Sequence, residues 1–227
     1  MIRERLPQFF SVFGYNYKTS FVPLPFLNPL GRIEMGQMTL SEYSPAISRR
    51  HSYASEYSWP KRLFMLDRCF IYSRFELNGG KNQLIIFNTH NSAYDAGGKL
   101  REKEMPIIRD LMLEEYKKGN FVVAGGDWNQ NPPGYQPSKI ESDFVSVKRE
   151  LMPQYLFPDN WQIVFDPRHP TNRSLNIPLN AAKTEGTLID YYIVSPNIKV
   201  LEIKTLSQQF KFSDHEPVYL KIQLQKQ

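Results

Sequence analysis

FVVAGGDWN, residues 121–129, runs from a compact apolar segment straight into an acid, an aromatic and an amide. The opening apolar residues read as a buried strand, so Asp127 is delivered to a loop at the strand's end. Three other segments repeat the design. NTHN (residues 88–91) closes the apolar run 83–88, IDY (189–191) lies within the run 187–195, and SDH (213–215) precedes the alternating segment 218–224. An Asp-Asn pair alone is ordinary turn chemistry, because both side chains bond nearby backbone. Four polar motifs in a row, each at or inside a strand-like run, point to side chains converging on one ligand.

Outward from these motifs the chain reads as strands interleaved with a few helices. Leu6, Phe9, Phe10 and Phe13 recur at helical spacing ahead of Gly14, which predicts an opening amphipathic helix. Strands are expected at residues 15–21 and 37–43, around a loop holding Pro23, Pro25 and Pro29. Residues 62–77 and 83–88 flank Asn78-Gly79-Gly80, a hairpin signal. Leu100, Ile107, Ile108, Leu111, Met112 and Tyr116 mark a helix that Pro106 kinks or opens. Ser138 and Glu141 form a capping box that predicts another helix through Phe144, Val147 and Leu151. Segments 161–165, 187–195, 199–206 and 218–224 read as strands, the last with period-two alternation. Such a mixture implies sheets covered by helices.

With 227 residues, 41% of them hydrophobic, a single domain over residues 1–227 is expected. The net charge of +5 suits a polyanionic partner but does not single one out. Cys69 is the lone cysteine, which excludes an intrachain disulfide and a cysteine-based zinc site. HxxxH, GxSxG and P-loop patterns are absent, against a zinc hydrolase, a serine esterase and a P-loop enzyme. No apolar run approaches the ~20 residues that span a bilayer and no signal peptide is evident, so the chain is expected to be soluble. Compartment stays open: a parent protein in the cytoplasm, exported or membrane-anchored fits equally.

NTHN, GGDWNQNP, LIDYYIVS and SDHEPVYLKI, in that order, resemble the endonuclease/exonuclease/phosphatase superfamily of DNase-like, metal-dependent phosphoesterases. The resemblance spans roughly residues 6–224. It implies an α/β fold, a four-layer α/β/β/α sandwich with the site at one end of the sheets. It also implies phosphodiester hydrolysis by in-line attack of an activated water.

Matched residue by residue, Asp127 would orient the water and Asn129 would hold a phosphate oxygen. The i, i+2 spacing of these two is expected to point both the same way along an extended segment. His215 would take the water's proton, with Asp190 accepting a hydrogen bond from its ring. His90 would contact the scissile phosphate and help protonate the leaving oxygen. Asp214 would be a metal-linked carboxylate for Mg²⁺ or Mn²⁺, since oxygen donors favour these hard cations. Asn91, Arg173 and Trp128 are the substrate-binding candidates, Trp128 by stacking or else as a packing plug. His51 and His169 read as solvated loop residues.

The family pattern also opens with an Asn-bearing strand and a second strand ending in Gln-Glu, whose Glu is the principal metal ligand. Neither is present here, and Glu4 is a poor substitute. The resemblance therefore implies an N-terminally truncated domain missing its first two strands, with weak Mg²⁺ affinity and little hydrolysis of its own. Arg49, Arg50, Tyr53, Tyr57, Trp59 and Arg62 interleave cations with aromatics, which suits a nucleic acid or a merely solvated loop. Three readings follow: a nuclease-like phosphodiesterase, a phosphoesterase acting on inositol phosphates or phospholipids, and a catalytically silent binding module.

Overall fold

The computed structural model describes residues 2–22, 25–53, 67–93, 98–137, 144–180 and 182–225. They belong to two compact units, Met1–Asn120 and Phe121–Gln227.

In the first unit a short helix, α1 (Ile2–Arg5), leads into β1 (Phe10–Val22), which pairs antiparallel with β2 (Gly31–Ser41). The longer opening helix is not formed: Phe10, Val12 and Phe13 pair with Ser41, Thr39 and Met38. A helical spacing over only four apolar residues is a weak signal, and aromatic and β-branched side chains with cross-strand partners favour the strand. Next, β3 (Ile47–Ser52), β4 (Cys69–Glu76) and β5 (Gln83–His90) form an antiparallel meander. Its β4–β5 turn holds Gly79 at φ +78°, a conformation that needs no Cβ. Residues 54–66, which hold Tyr57, Trp59 and the first part of the strand expected at 62–77, with Arg62, lie outside the described residues.

The β1–β2 hairpin packs on the meander. A Cβ on Gly14 would stand 3.1 Å from Ile71 Cγ1, and Asn88 Nδ2 donates to Met38 O (3.2 Å) and Thr39 Oγ1 (3.0 Å). Phe70, Ile71, Ile85 and Phe87 are buried in this unit, as are Met105, Ile108 and Met112 of α2 (Lys99–Lys117). Pro106 lies inside α2 rather than at its start, where its missing N–H removes the bond that would reach Glu102 O.

The second unit holds β6 (Phe121–Asp127), β7 (Val145–Ser146), β8 (Gln162–Val164), β9 (Asn172–Arg173), β10 (Glu185–Thr187), β11 (Asp190–Val194), β12 (Ile198–Thr205) and β13 (Val218–Leu224). Here β11 lies antiparallel between β6 and β8, β10 lies between β7 and β9, and β12 pairs with β13. The capping-box helix is not borne out where it can be followed. Residues 138–143 lie outside the described residues, Val145–Ser146 is a strand, and Leu151 bridges Asn131.

Asn131 accounts for this extended path. Fully buried, it donates Nδ2–H to Thr187 Oγ1 (2.9 Å) and Leu188 O (2.7 Å), while its Oδ1 accepts from Arg149 N (2.5 Å). Its backbone also bonds Glu150 O and Met152 N, so a helix over 149–152 would forfeit these bonds. Among the described residues no helix is long and apolar enough to cross a membrane.

Candidate active site

Asp127 is the last residue of β6 and stands directly opposite Asp190, the first residue of β11. Adjacent strands thereby place two carboxylates at one end of the pair. Like charges in that position repel. The ring of His215 answers them: its Nδ1 is 2.9 Å from Asp190 Oδ2, and its Nε2 is 3.9 Å from Asp127 Oδ2.

Backbone pairing with β9 brings His215 there. Arg173 N donates to Asp214 O (2.9 Å), Glu216 N donates to Thr171 O (2.8 Å), and Asn172 and His215 form an isolated bridge. Thr171 ties this segment to β11, because its buried Oγ1 accepts from the backbone N–H of both Ile189 and Asp190 at 3.0 Å. Ser213 Oγ accepts from His215 N (3.1 Å). The sequence-predicted residues Asp127, Asn129, Asp190, Asp214 and His215 thus all lie in one unit around one imidazole.

Burial alone would lower the His215 pKa. The Asp190 hydrogen bond, the Asp190 charge and the charges of Asp127 and Asp214 more than reverse that, raising it to about 9. The resting ring is therefore an imidazolium at neutral pH.

Asn172 was missed in the sequence. Its Nδ2 lies 3.0 Å from His215 Nε2 and donates to Asp214 O at 3.2 Å, and the side chain is buried. An amide has a donor end and an acceptor end, so Asn172 can serve either protonation state of Nε2 by choosing which it presents. Its sequence signal is slight: Thr171-Asn172-Arg173 looks like any polar turn.

Asn129 departs from its expected geometry. It adopts φ +52° just beyond β6, and both its N–H (2.9 Å to Oδ1) and its Nδ2 (3.2 Å to Oδ2) donate to Asp127. The two side chains meet through a turn, not through strand alternation, because Asn tolerates the left-handed region and its amide reaches back.

Two substrate-contact expectations are corrected. Trp128 is fully buried, donates Nε1–H to Tyr191 O (2.9 Å) and stacks on the Tyr191 ring at 5.6 Å, so it is a packing plug. Asn91 is equally buried in the first unit, where its Oδ1 accepts from Thr89 Oγ1 (2.6 Å) and its Nδ2 lies against Met105 Sδ. His51 is not a solvated loop residue either: it is half-buried in β3 and stacks on Phe70 at 4.9 Å. Burial, then the Arg49 charge, lowers its pKa.

Arg173 keeps its candidacy. Its Nη1 donates to Ser174 O (3.2 Å), and its buried Nε has no hydrogen-bond partner among the described residues. Asp214 is half-buried, with Oδ1 3.5 Å from Ser213 Oγ. Among the described residues no group of three or more His, Cys, Asp or Glu side chains is placed to hold a metal ion.

In the first unit His90 closes β5. Arg68 Nη1 lies 2.6 Å from its Nε2, and Asn16 Nδ2 lies 3.3 Å from its Nδ1.

No protein-family model matches this sequence, and no curated protein matches it. Known structures do. An endonuclease/exonuclease/phosphatase from Beutenbergia cavernae is 16% identical, with a TM-score of 0.61 over 95% of this chain and 53% of the other. The human Nocturnin catalytic domain with bound sulfate is 14% identical, with a TM-score of 0.62 over 98% of this chain and 74% of the other. D. rerio TDP2 complexed with a single-strand DNA product is 11% identical, with a TM-score of 0.61 over 98% and 80%. This chain therefore has the mixed α/β fold of the endonuclease/exonuclease/phosphatase proteins. It spans about half the length of the Beutenbergia chain.

Proposed function

We propose that this chain is a phosphodiester hydrolase in which His215 activates a water for in-line attack on phosphorus. The observation that carries the reading is the His215 ring held at Nδ1 by Asp190, with Nε2 turned toward Asp127 and Asn172. Asp190 fixes the tautomer, so the neutral ring offers its lone pair at Nε2. The water gives its proton to Nε2 as its oxygen bonds to phosphorus and the bond to the leaving oxygen breaks. Asp127 orients that water. Asn129 holds a phosphate oxygen, and its turn already aims its amide hydrogens toward the Asp127 end of β6.

A phosphate brings negative charge that the three carboxylates cannot stabilise. Arg173 answers this need, since its unpartnered Nε would gain a charge-assisted hydrogen bond from an anion. His90 would contact a substrate phosphate, and Asp214 would engage a hard divalent cation.

Nucleic acid is the favoured substrate class. The chain carries +5, and TDP2, of the same fold, is described with a single-strand DNA product. The test compares the wild-type chain with His215→Ala on DNA, RNA, an inositol phosphate and phosphatidylinositol vesicles. The expected result is slow cleavage of a nucleic acid, in keeping with the little hydrolysis expected of this chain, lost by ~10²-fold or more in the variant. Equal rates for the two proteins would remove His215 from the reaction. Cleavage of only the lipid or inositol phosphate would move the substrate class.

A further inference from the structure

Arg68 lies immediately before β4, and its side chain is buried against the end of β5. Its guanidinium has only donors and stays charged, so the 2.6 Å contact between Nη1 and His90 Nε2 has one chemical meaning: Nε2 accepts. A proton on Nε2 would set two N–H groups head to head. The ring's hydrogen therefore belongs on Nδ1.

The other side of the ring also faces a donor, Asn16 Nδ2, so a proton on Nδ1 requires the Asn16 amide to be turned end for end. Asn16 is buried with its amide 3.3 Å from His90 Nδ1 and 3.0 Å from Cys69 Sγ, which is itself buried. With Nδ1 protonated, Asn16 presents its oxygen to the ring and its NH₂ to the sulfur. The turned amide then accepts from Nδ1–H, and the Cys69 thiol has Tyr15 O at 3.6 Å as its acceptor.

We propose that Arg68 is the positioning residue of His90, holding it as the Nδ1–H tautomer with Nε2 unprotonated. This rests on the reading that His90 meets a substrate phosphate, and it changes what His90 does there. The ring has no Nε2 proton to give to a leaving oxygen, and the positive charge at this site belongs to Arg68. His90 orients that guanidinium and the guanidinium fixes His90, a mutual arrangement that phosphate recognition uses and proton transfer does not.

The test is a long-range ¹H–¹⁵N spectrum of the histidine rings in the full chain, with His90 assigned by its loss in His90→Gln. The wild type should show protonated Nδ1 and bare Nε2. Arg68→Met should shift His90 toward the Nε2–H tautomer, which predominates in free imidazole side chains. Arg68→Lys, which keeps a permanent donor, should retain the wild-type pattern, and a melting curve on each variant separates tautomer change from unfolding. If Arg68→Met does not fold, Arg68→Lys and the wild type still decide, because an Nε2–H signal in either overturns the proposal.

An unchanged His90 signal in folded Arg68→Met also overturns it. On any phosphodiester the chain cleaves, Arg68→Met should lose ~10²-fold in kcat and Arg68→Lys far less. Should the chain cleave none, the hydrolase reading fails while the tautomer measurement still judges Arg68.

Discussion

Asp127 ends β6 directly opposite Asp190, which opens β11, and the His215 ring lies 2.9 Å from the second carboxylate but 3.9 Å from the first. The two acids are register partners with unequal holds on one imidazole. Asp190 makes a hydrogen bond and sets the tautomer. Asp127 contributes charge at a distance.

Asp190→Asn should therefore hurt more than Asp127→Asn in whatever measures the state of His215. Losing the Asp190 charge and acceptor should lower the His215 pKa from about 9 toward its ordinary 6.5. Turnover should fall by about 10²–10⁴-fold because the ring is no longer held in the productive tautomer. NMR titration of the His215 ring in the two variants checks the order, and a larger shift in Asp127→Asn would reverse the assignment.

The raised His215 pKa sets two pH dependences of opposite usefulness. A base must be unprotonated, so kcat/KM should climb about tenfold per pH unit from pH 7 until the rise levels near pH 9. Stability runs the other way. The folded pKa exceeds the unfolded 6.5, so the imidazolium's contribution is fully present below pH 6.5 and is lost as pH rises through 9. Urea melts should show a midpoint that falls across that window in the wild type and falls less in His215→Gln. A flat rate profile would take proton abstraction away from His215.

Gly125 is a packing requirement behind the site. A Cβ there would stand 2.4 Å from Tyr192 Cε1, and that ring is anchored by its hydroxyl donating to Val218 O at 2.9 Å. Gly125→Ala must displace the ring or the strand, at a cost of about 1–3 kcal/mol. A melting temperature lowered by about 5 °C is expected for a chain of this size. An unchanged melt would mean that Tyr192 swings aside freely.

Divalent cations give a separate check. With no set of three suitable side chains among the described residues, Mg²⁺ should bind this chain only at about millimolar concentration or weaker, and calorimetry should show no saturation in the micromolar range. Tight, saturable Mg²⁺ binding lost in Asp214→Asn would instead establish Asp214 as a ligand in a site that the described side chains do not display.

Much of the layout could be read from residue order. The alternation at residues 218–224, the Asn78-Gly79 turn and the apolar run into Asp127 are local patterns, and β13, the β4–β5 hairpin and β6 follow them. Asp190 and His215 were recognisable because each stands in a motif beside a strand. Other features depend on distant partners. Residues 6–13 fit a helix until β2 supplies cross-strand neighbours, and residues 144–151 fit one until buried Asn131 claims the backbone around 150.

The sequence by itself determined which chemical groups are available, and that acids, amides and imidazoles end or begin strands, because side-chain type and short-range periodicity are properties of neighbouring residues. The tertiary structure decided who meets whom. It set Asp190 against His215, brought Asn172 to the other ring nitrogen, buried Trp128 as a plug and turned Arg68 onto His90. Hydrogen bonds between residues 22 to 74 positions apart are set by strand register and packing, and no local pattern in the chain encodes them.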